Sequence, residues 1–183
     1  MSGSAVIVPG YGGHETQRIV QALAKRLDAA GIHGRPARIM SGTRPSRYYQ
    51  GEIAALRAVR DEVRASHPGP FALVGRSFGG RICAFLAAED PPDALVILGH
   101  PIAPPNRPRP RDEAALASVR CPTLVVQGER DELGPLAVLE RIAAGNPLID
   151  IVVIAGAGHD LRGKHEREAV EHAGRWLESR LLV

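Results

Sequence analysis

Gly75-Arg76-Ser77-Phe78-Gly79-Gly80 follows directly on the apolar run Phe71-Ala72-Leu73-Val74. A serine with glycine two positions away on either side, set between a strand and a helix, has the pattern of a nucleophile elbow. The serine of such a turn sits in a strained conformation with its hydroxyl exposed, and side chains at the flanking positions would collide. Ile82, Phe85 and Leu86 fall on one face of the helix that follows. Its positive end is aimed at Ser77, where negative charge would build up during attack on an acyl carbonyl.

A serine hydroxyl is a poor nucleophile at neutral pH and needs a base beside it. In open α/β sheets ligands bind outside the carboxyl ends of the strands, so polar residues at those ends are the candidates. Two later apolar runs end in such residues: Gln127-Gly128-Glu129-Arg130-Asp131, and Ala155-Gly156-Ala157-Gly158-His159-Asp160. His159 would take the Ser77 proton and return it to the leaving group. Asp131 would fix the imidazole tautomer and stabilise the imidazolium. Glu129, Glu132 and Asp160 compete for the acid role, and the Gly-x-x-Asp spacing favours Asp131. Each residue also has a plain structural reading: Ser77 as a turn serine, His159 as a loop cap.

The elements that must position these groups are short apolar runs alternating with amphipathic segments. The runs are Ala5–Val8, Pro36–Ile39 (weak), Phe71–Val74, Ala94–Leu98, Thr123–Val126 and Ile149–Ile154. Most are continuous rather than alternating, as expected of strands covered on both faces. Ile19, Leu23 and Leu27 form one helical stripe, and Ile53, Leu56, Val59 and Val63 another. Leu136, Leu139 and Ile142 follow Pro135, a good first helical residue, and Val170, Ala173, Leu177 and Leu181 close the chain. This βα alternation predicts an α/β fold: six mostly parallel strands with helices on both faces, forming one domain over residues 1–183.

The order serine, acid, histidine along the whole length resembles the α/β-hydrolase fold. The similarity is strongest to short, cap-less, dienelactone-hydrolase-like members, whose elbow has the form G-R/K-S-x-G-G-R; Arg81 matches its last position. The resemblance implies a serine hydrolase that forms an acyl-enzyme on Ser77, acting on a carboxylic ester, thioester or lactone without a cofactor. It also implies an oxyanion hole from the backbone N–H groups of Phe78 and Tyr11, because Pro9-Gly10-Tyr11 lies where many relatives have His-Gly-x. The histidine is missing here, which bears on loop support, whereas the donor is backbone. A catalytically silent scaffold, and a peptidase or acyltransferase using the same three residues, are the alternatives. Only Gly99–Pro122 stands where larger relatives carry a cap, so the pocket is expected to be shallow and open.

His14 and His100 stand near strand ends and could line the pocket. Arg76 could do so too, although Arg76 and Arg81 read more readily as partners in structural salt bridges. Arg107, Arg109 and Arg111 lie in the proline-rich segment Pro101–Arg111, which reads first as a solvated loop and second as a site for an anionic substrate. No H-E-x-x-H or C-x-x-C occurs, so no metal site is expected. Gly10-Tyr11-Gly12-Gly13 lacks the spacing of a nucleotide loop.

The bulk properties agree with a globular enzyme. The chain has 183 residues, 44% hydrophobic and 23% charged, and only 4% aromatic, so aliphatic side chains must build the core. The net charge of +3 is spread along the chain, and its 23 basic residues are all arginine except Lys25 and Lys164. That gives little support to nucleic-acid binding. Cys83 and Cys121 read as reduced, buried thiols. No signal peptide and no run of about 20 apolar residues is present, so a cytoplasmic location without membrane contact is expected. A small-molecule ester-like substrate is the expected partner, with a monomer or homodimer equally compatible.

Overall fold

The computed structural model describes residues 2–182. Its elements, in chain order, are β1 (Ser4–Val8), α1 (Arg18–Ala29), β2 (His33–Pro36), α2 (Gln50–Ser66), β3 (Phe71–Arg76), α3 (Phe78–Glu89), β4 (Ala94–Leu98), α4 (Pro110–Ala117), β5 (Thr123–Gly128), α5 (Leu136–Gly145), β6 (Ile149–Ile154) and α6 (Lys164–Leu181). The strands form one sheet in the order β2-β1-β3-β4-β5-β6, and every pairing is parallel.

Strand alternation divides the interior into two layers. Val6, Val8, Leu73, Leu95 and Ile97 face α2, α3, α4 and α5. Ala5, Ile7, Val74, Val96 and Leu98 face α1 and α6. Because both faces are covered, β1, β3, β4 and β5 are buried at every position, which explains their unbroken apolar runs. The edge strand β6 is buried only at its two ends, Ile149 and Ile154, and partly exposed between them. Among the described residues, no helix is long and apolar enough to cross a membrane.

Three elements differ from the sequence expectation. The second strand is His33–Pro36, not Pro36–Ile39. Gly31, at φ +81°, turns the chain sharply out of α1, so pairing with β1 begins at His33. Ala37, Ile39 and Met40, which carried the apolar signal, are buried in the α2–α3 layer just past the strand. Pro135, expected as a first helical residue, instead precedes α5 in an extended conformation (φ −55°, ψ 133°). Within the segment expected as a loop, Pro110 starts the short helix α4, with Asp112 and Glu113 in its first turn.

The topology places a crevice. β1 is flanked by β2 on one side and β3 on the other, and the helices that follow β1 and β3 lie on opposite faces of the sheet. Their connecting loops therefore part at the carboxyl ends of β1 and β3, the usual ligand position in such sheets. Ser77 is the residue after β3.

Candidate active site

Ser77 adopts φ 50° and ψ −112°, a conformation costing a non-glycine residue on the order of 1–3 kcal/mol. The surroundings hold it there. A Cβ on Gly75 would lie 2.3 Å from the Gly80 nitrogen, and one on Gly79 would lie 2.5 Å from the carbonyl oxygens of Val8 and Pro9. Glycine at these two positions thus lets β3 fold back onto α3, and lets α3 press against the end of β1. The remainder of α3 is buried on nearly all sides from Phe78 to Ala87, consistent with its largely apolar sequence.

Three distant segments converge on this turn. Ser77 Oγ lies 2.8 Å from His159 Nε2, and His159 Nδ1 lies 2.8 Å from Asp131 Oδ2. Asp131 accepts at Oδ2, so Nδ1 carries the ring proton and Nε2 presents a lone pair to the serine hydroxyl. The second carboxylate oxygen, Oδ1, accepts the Leu133 N–H at 2.9 Å. Glu129 accepts the Gly156 N–H at 2.7 Å, and Asp160 pairs with Arg162 at 3.0 Å, so both rivals are engaged elsewhere. Glu132 is exposed.

Two further residues position the acid and the histidine. Gln127 is fully buried at the end of β5, where its Nε2 donates to Asp131 Oδ2 at 2.8 Å and to the Gly134 carbonyl at 2.9 Å. Its Oε1 accepts the His100 N–H at 2.7 Å. Arg76 donates from Nη2 to the His159 carbonyl at 2.5 Å and from Nη1 to the Leu98 carbonyl at 3.1 Å, tying the histidine loop to the end of β4. Burial depresses the Arg76 guanidinium below its ordinary pKa, and nearby Asp131 and Asp160 oppose that shift.

The loop after β1 closes the turn from the other side. Gly10 packs against Ser77, where a Cβ would stand 3.6 Å from the serine Cβ, and the Tyr11 and Phe78 rings meet edge to face with centroids 5.8 Å apart. Gln17 Oε1 accepts the Gly10 N–H at 3.0 Å. A glutamine from the start of α1 thereby supports a loop that lacks the histidine of many relatives. Among the described residues, neither the Tyr11 N–H nor the Phe78 N–H is given to a protein acceptor.

A cleft of about 870 Å³ opens beside Ser77, with Tyr11, Phe78, Tyr49 and Phe85 on its walls and Arg44 and residues 107–112 around its rim. That volume is in the range of small-molecule sites. The Pro101–Arg111 segment borders this cleft while residues 105–108, Pro110 and Arg111 stay exposed, so it is both a solvated loop and part of the cleft lining. His159 borders a smaller neighbouring cleft of about 400 Å³, with Leu133 shared between the two.

His14, Arg76 and His100, considered above as pocket residues, do not line the large cleft. His14 is exposed on the far side of the β1 loop, with its Nδ1 3.3 Å from Arg38. His100 is fully buried behind Asp131, and among the described residues its ring nitrogens have no protein partner. Burial, then the charge of Arg81, pushes its pKa down to about 3, so the ring is neutral. Among the described residues Arg76 forms no salt bridge, and it serves backbone carbonyls. Arg81 does form one, a buried bidentate pair with Asp112, and it also donates to the Tyr49 hydroxyl at 2.8 Å. Among the described residues, no group of three or more His, Cys, Asp or Glu side chains could hold a metal.

Comparison with known proteins agrees with this architecture. The sequence pattern described as "Alpha/beta hydrolase domain" matches residues 5–178. An uncharacterized protein of Mycobacterium tuberculosis is 31% identical over 189 residues, covering 87% of this chain; the chain spans 64% of that relative's length. An alpha-beta serine hydrolase homologue from Coxiella burnetii is 26% identical with a TM-score of 0.77, covering 97% of this chain and 86% of the other. Dienelactone hydrolase from Anabaena variabilis superposes with a TM-score of 0.80 at 21% identity, covering 98% and 87%. A strained serine between two obligatory glycines, one parallel sheet and a sequence match across nearly the whole length lead to one assignment: the chain belongs to the α/β-hydrolase domain family.

Proposed function

We propose that the protein is a serine hydrolase that cleaves a carboxylic ester, or the related thioester or lactone, through an acyl-enzyme on Ser77. The observation that carries this reading is the continuous hydrogen-bonded chain Ser77–His159–Asp131, with 2.8 Å at each link. The likeness to the Coxiella serine hydrolase homologue supports it.

In this mechanism Ser77 Oγ attacks the ester carbonyl carbon while His159 Nε2 takes the hydroxyl proton. The carbonyl oxygen becomes an oxyanion facing the backbone N–H groups of Phe78 and Tyr11, next to the positive end of α3. Asp131 holds the ring in the Nδ1–H tautomer and stabilises the imidazolium. Collapse of the intermediate breaks the bond from carbon to the leaving oxygen, which receives the proton from Nε2. Water, deprotonated by the same nitrogen, then attacks the acyl-enzyme and restores Ser77.

Labelling with a fluorophosphonate probe tests the reading. Wild type should label rapidly, and Ser77→Ala not at all. His159→Ala should label slower by several powers of ten, because the hydroxyl loses its base. Equal labelling of all three proteins, or none of the folded wild type, overturns the proposal.

A further inference from the structure

The rim of the large cleft is cationic without compensation. Arg44, Arg107, Arg109 and Arg111 border it, and among the described residues none of the four pairs with a carboxylate. Arg109 donates to the Pro101 carbonyl at 2.6 Å, and Arg111 lies over the rings of Tyr48 and Phe85 at 5.2 and 5.6 Å. The acid at this rim, Asp112, is already committed to Arg81. Burial and the charge of Arg81 both depress the Arg109 guanidinium, as expected where positive groups crowd without enough counter-charge. Guanidinium groups gathered in this way suit a planar or tetrahedral oxyanion, which accepts paired N–H bonds.

The two clefts give that anion a position. His159 must return its proton to the leaving oxygen, so the leaving group lies on the histidine side, where the smaller cleft opens. The acyl group then occupies the larger cleft. Tyr49 and Phe85 line it together with Ser77, and Arg111 stands against the Phe85 ring at 5.6 Å. We propose that the substrate is an ester whose acyl chain ends in an anionic group, a carboxylate or a phosphoryl oxyanion, held by Arg107, Arg109 and Arg111 with Arg44 across the opening. This rests on the serine hydrolase reading for its orientation, whereas the anion site rests on the arginines themselves.

Three p-nitrophenyl esters of matched chain length test it: hexanoate (neutral), hydrogen adipate (a terminal carboxylate) and 5-phosphonopentanoate. Wild type should favour the charged esters over hexanoate by tenfold or more in kcat/KM, and the stronger of the two identifies the anion. Arg107→Gln/Arg111→Gln should lower that ratio at least tenfold, raising ionic strength should lower it in wild type, and Arg107→Lys/Arg111→Lys should restore part of it. A ratio near one in wild type, or one unchanged in the glutamine variant, overturns the proposal. Failure of the hydrolase reading would appear separately, as absent turnover of all three esters together with absent fluorophosphonate labelling. In that event calorimetry with monoethyl adipate decides the anion site: binding by wild type that is lost in the glutamine variant upholds it, and no binding overturns it.

Discussion

Arg76→Met separates stability from reactivity more sharply than any change at the three converging side chains. Arg76 is only 7% exposed, lies outside the large cleft and, among the described residues, has no carboxylate partner. Its guanidinium holds the His159 and Leu98 carbonyls at 2.5 and 3.1 Å, with the Gly99 carbonyl at the 3.5 Å limit. Charge-assisted bonds of this kind contribute about 1.5–3 kcal/mol each. Against that stands the cost of burying an ion, several kcal/mol even after relaxation. The acceptors left behind are not stranded: the Leu98 carbonyl already receives the Ser77 N–H at 3.0 Å, and residue 159 is partly exposed to water. Methionine fills much of the same volume. The net change in folding free energy should therefore stay within about 2 kcal/mol, of either sign.

Reactivity should respond far more. Without the Arg76 clamp, the His159 backbone is free to shift relative to Ser77. A displacement near 1 Å is enough to cost on the order of 100-fold in rate, about 3 kcal/mol in the barrier. Urea unfolding would measure the first quantity, and the second-order rate of fluorophosphonate labelling the second. Arg76→Lys should recover part of the labelling rate, because its ammonium can still reach one carbonyl. Labelling of Arg76→Met within twofold of wild type would refute the clamp, as would a rate loss fully accounted for by an increased unfolded fraction.

Other consequences can be checked directly. Because the folded pKa of His100, about 3, lies below its ordinary 6.5, the unfolded chain binds the proton first. The stability associated with the neutral ring is thus intact above about pH 6.5 and lost on acidification toward pH 3, by on the order of 1 kcal/mol per pH unit; His100→Phe should flatten the profile of urea stability between pH 7 and 5, and parallel profiles would refute this. Arg81→Met should destabilise by about 3–5 kcal/mol by leaving Asp112 buried and alone, while Arg81→Met/Asp112→Leu should recover most of the loss in urea melts. Burial raises the pKa of the Cys83 and Cys121 thiols, so Ellman's reagent should find neither in the native protein and both after denaturation.

What was legible in the sequence was whatever depends on local pattern. The runs at β1, β3, β4 and β5 are continuous because both faces of those strands are covered, and the glycines flanking Ser77 are required by contacts a Cβ would violate. The second strand was misplaced because a short segment starting at His33 carries almost no apolar signal, and its neighbours Ala37 and Ile39 are apolar for a packing reason unrelated to pairing. Long-range polar contacts were out of reach. Nothing local marks Arg76 as a clamp on a loop 83 positions away, or Gln127 as the partner of Asp131. A polar residue ending an otherwise apolar strand was the available hint for Gln127.

The Pro101–Arg111 segment shows how a stretch too short for a cap can still border the site. A segment this short cannot form a domain, and sequence alone reads its prolines and arginines as solvated. Even so, Arg109 is anchored on the Pro101 carbonyl, and Asp112, in the first turn of α4, is locked to Arg81 on α3. Those two contacts fold the segment over the helix that carries Ser77. The same arginines are then fixed at the edge of the cleft by backbone that proline has already stiffened, so little further conformational entropy need be lost when an anion binds. On the proposed reading, discrimination among esters falls to this rim. Exchanging Arg107 and Arg111 should therefore change which esters are chosen while the serine, histidine and aspartate remain in register.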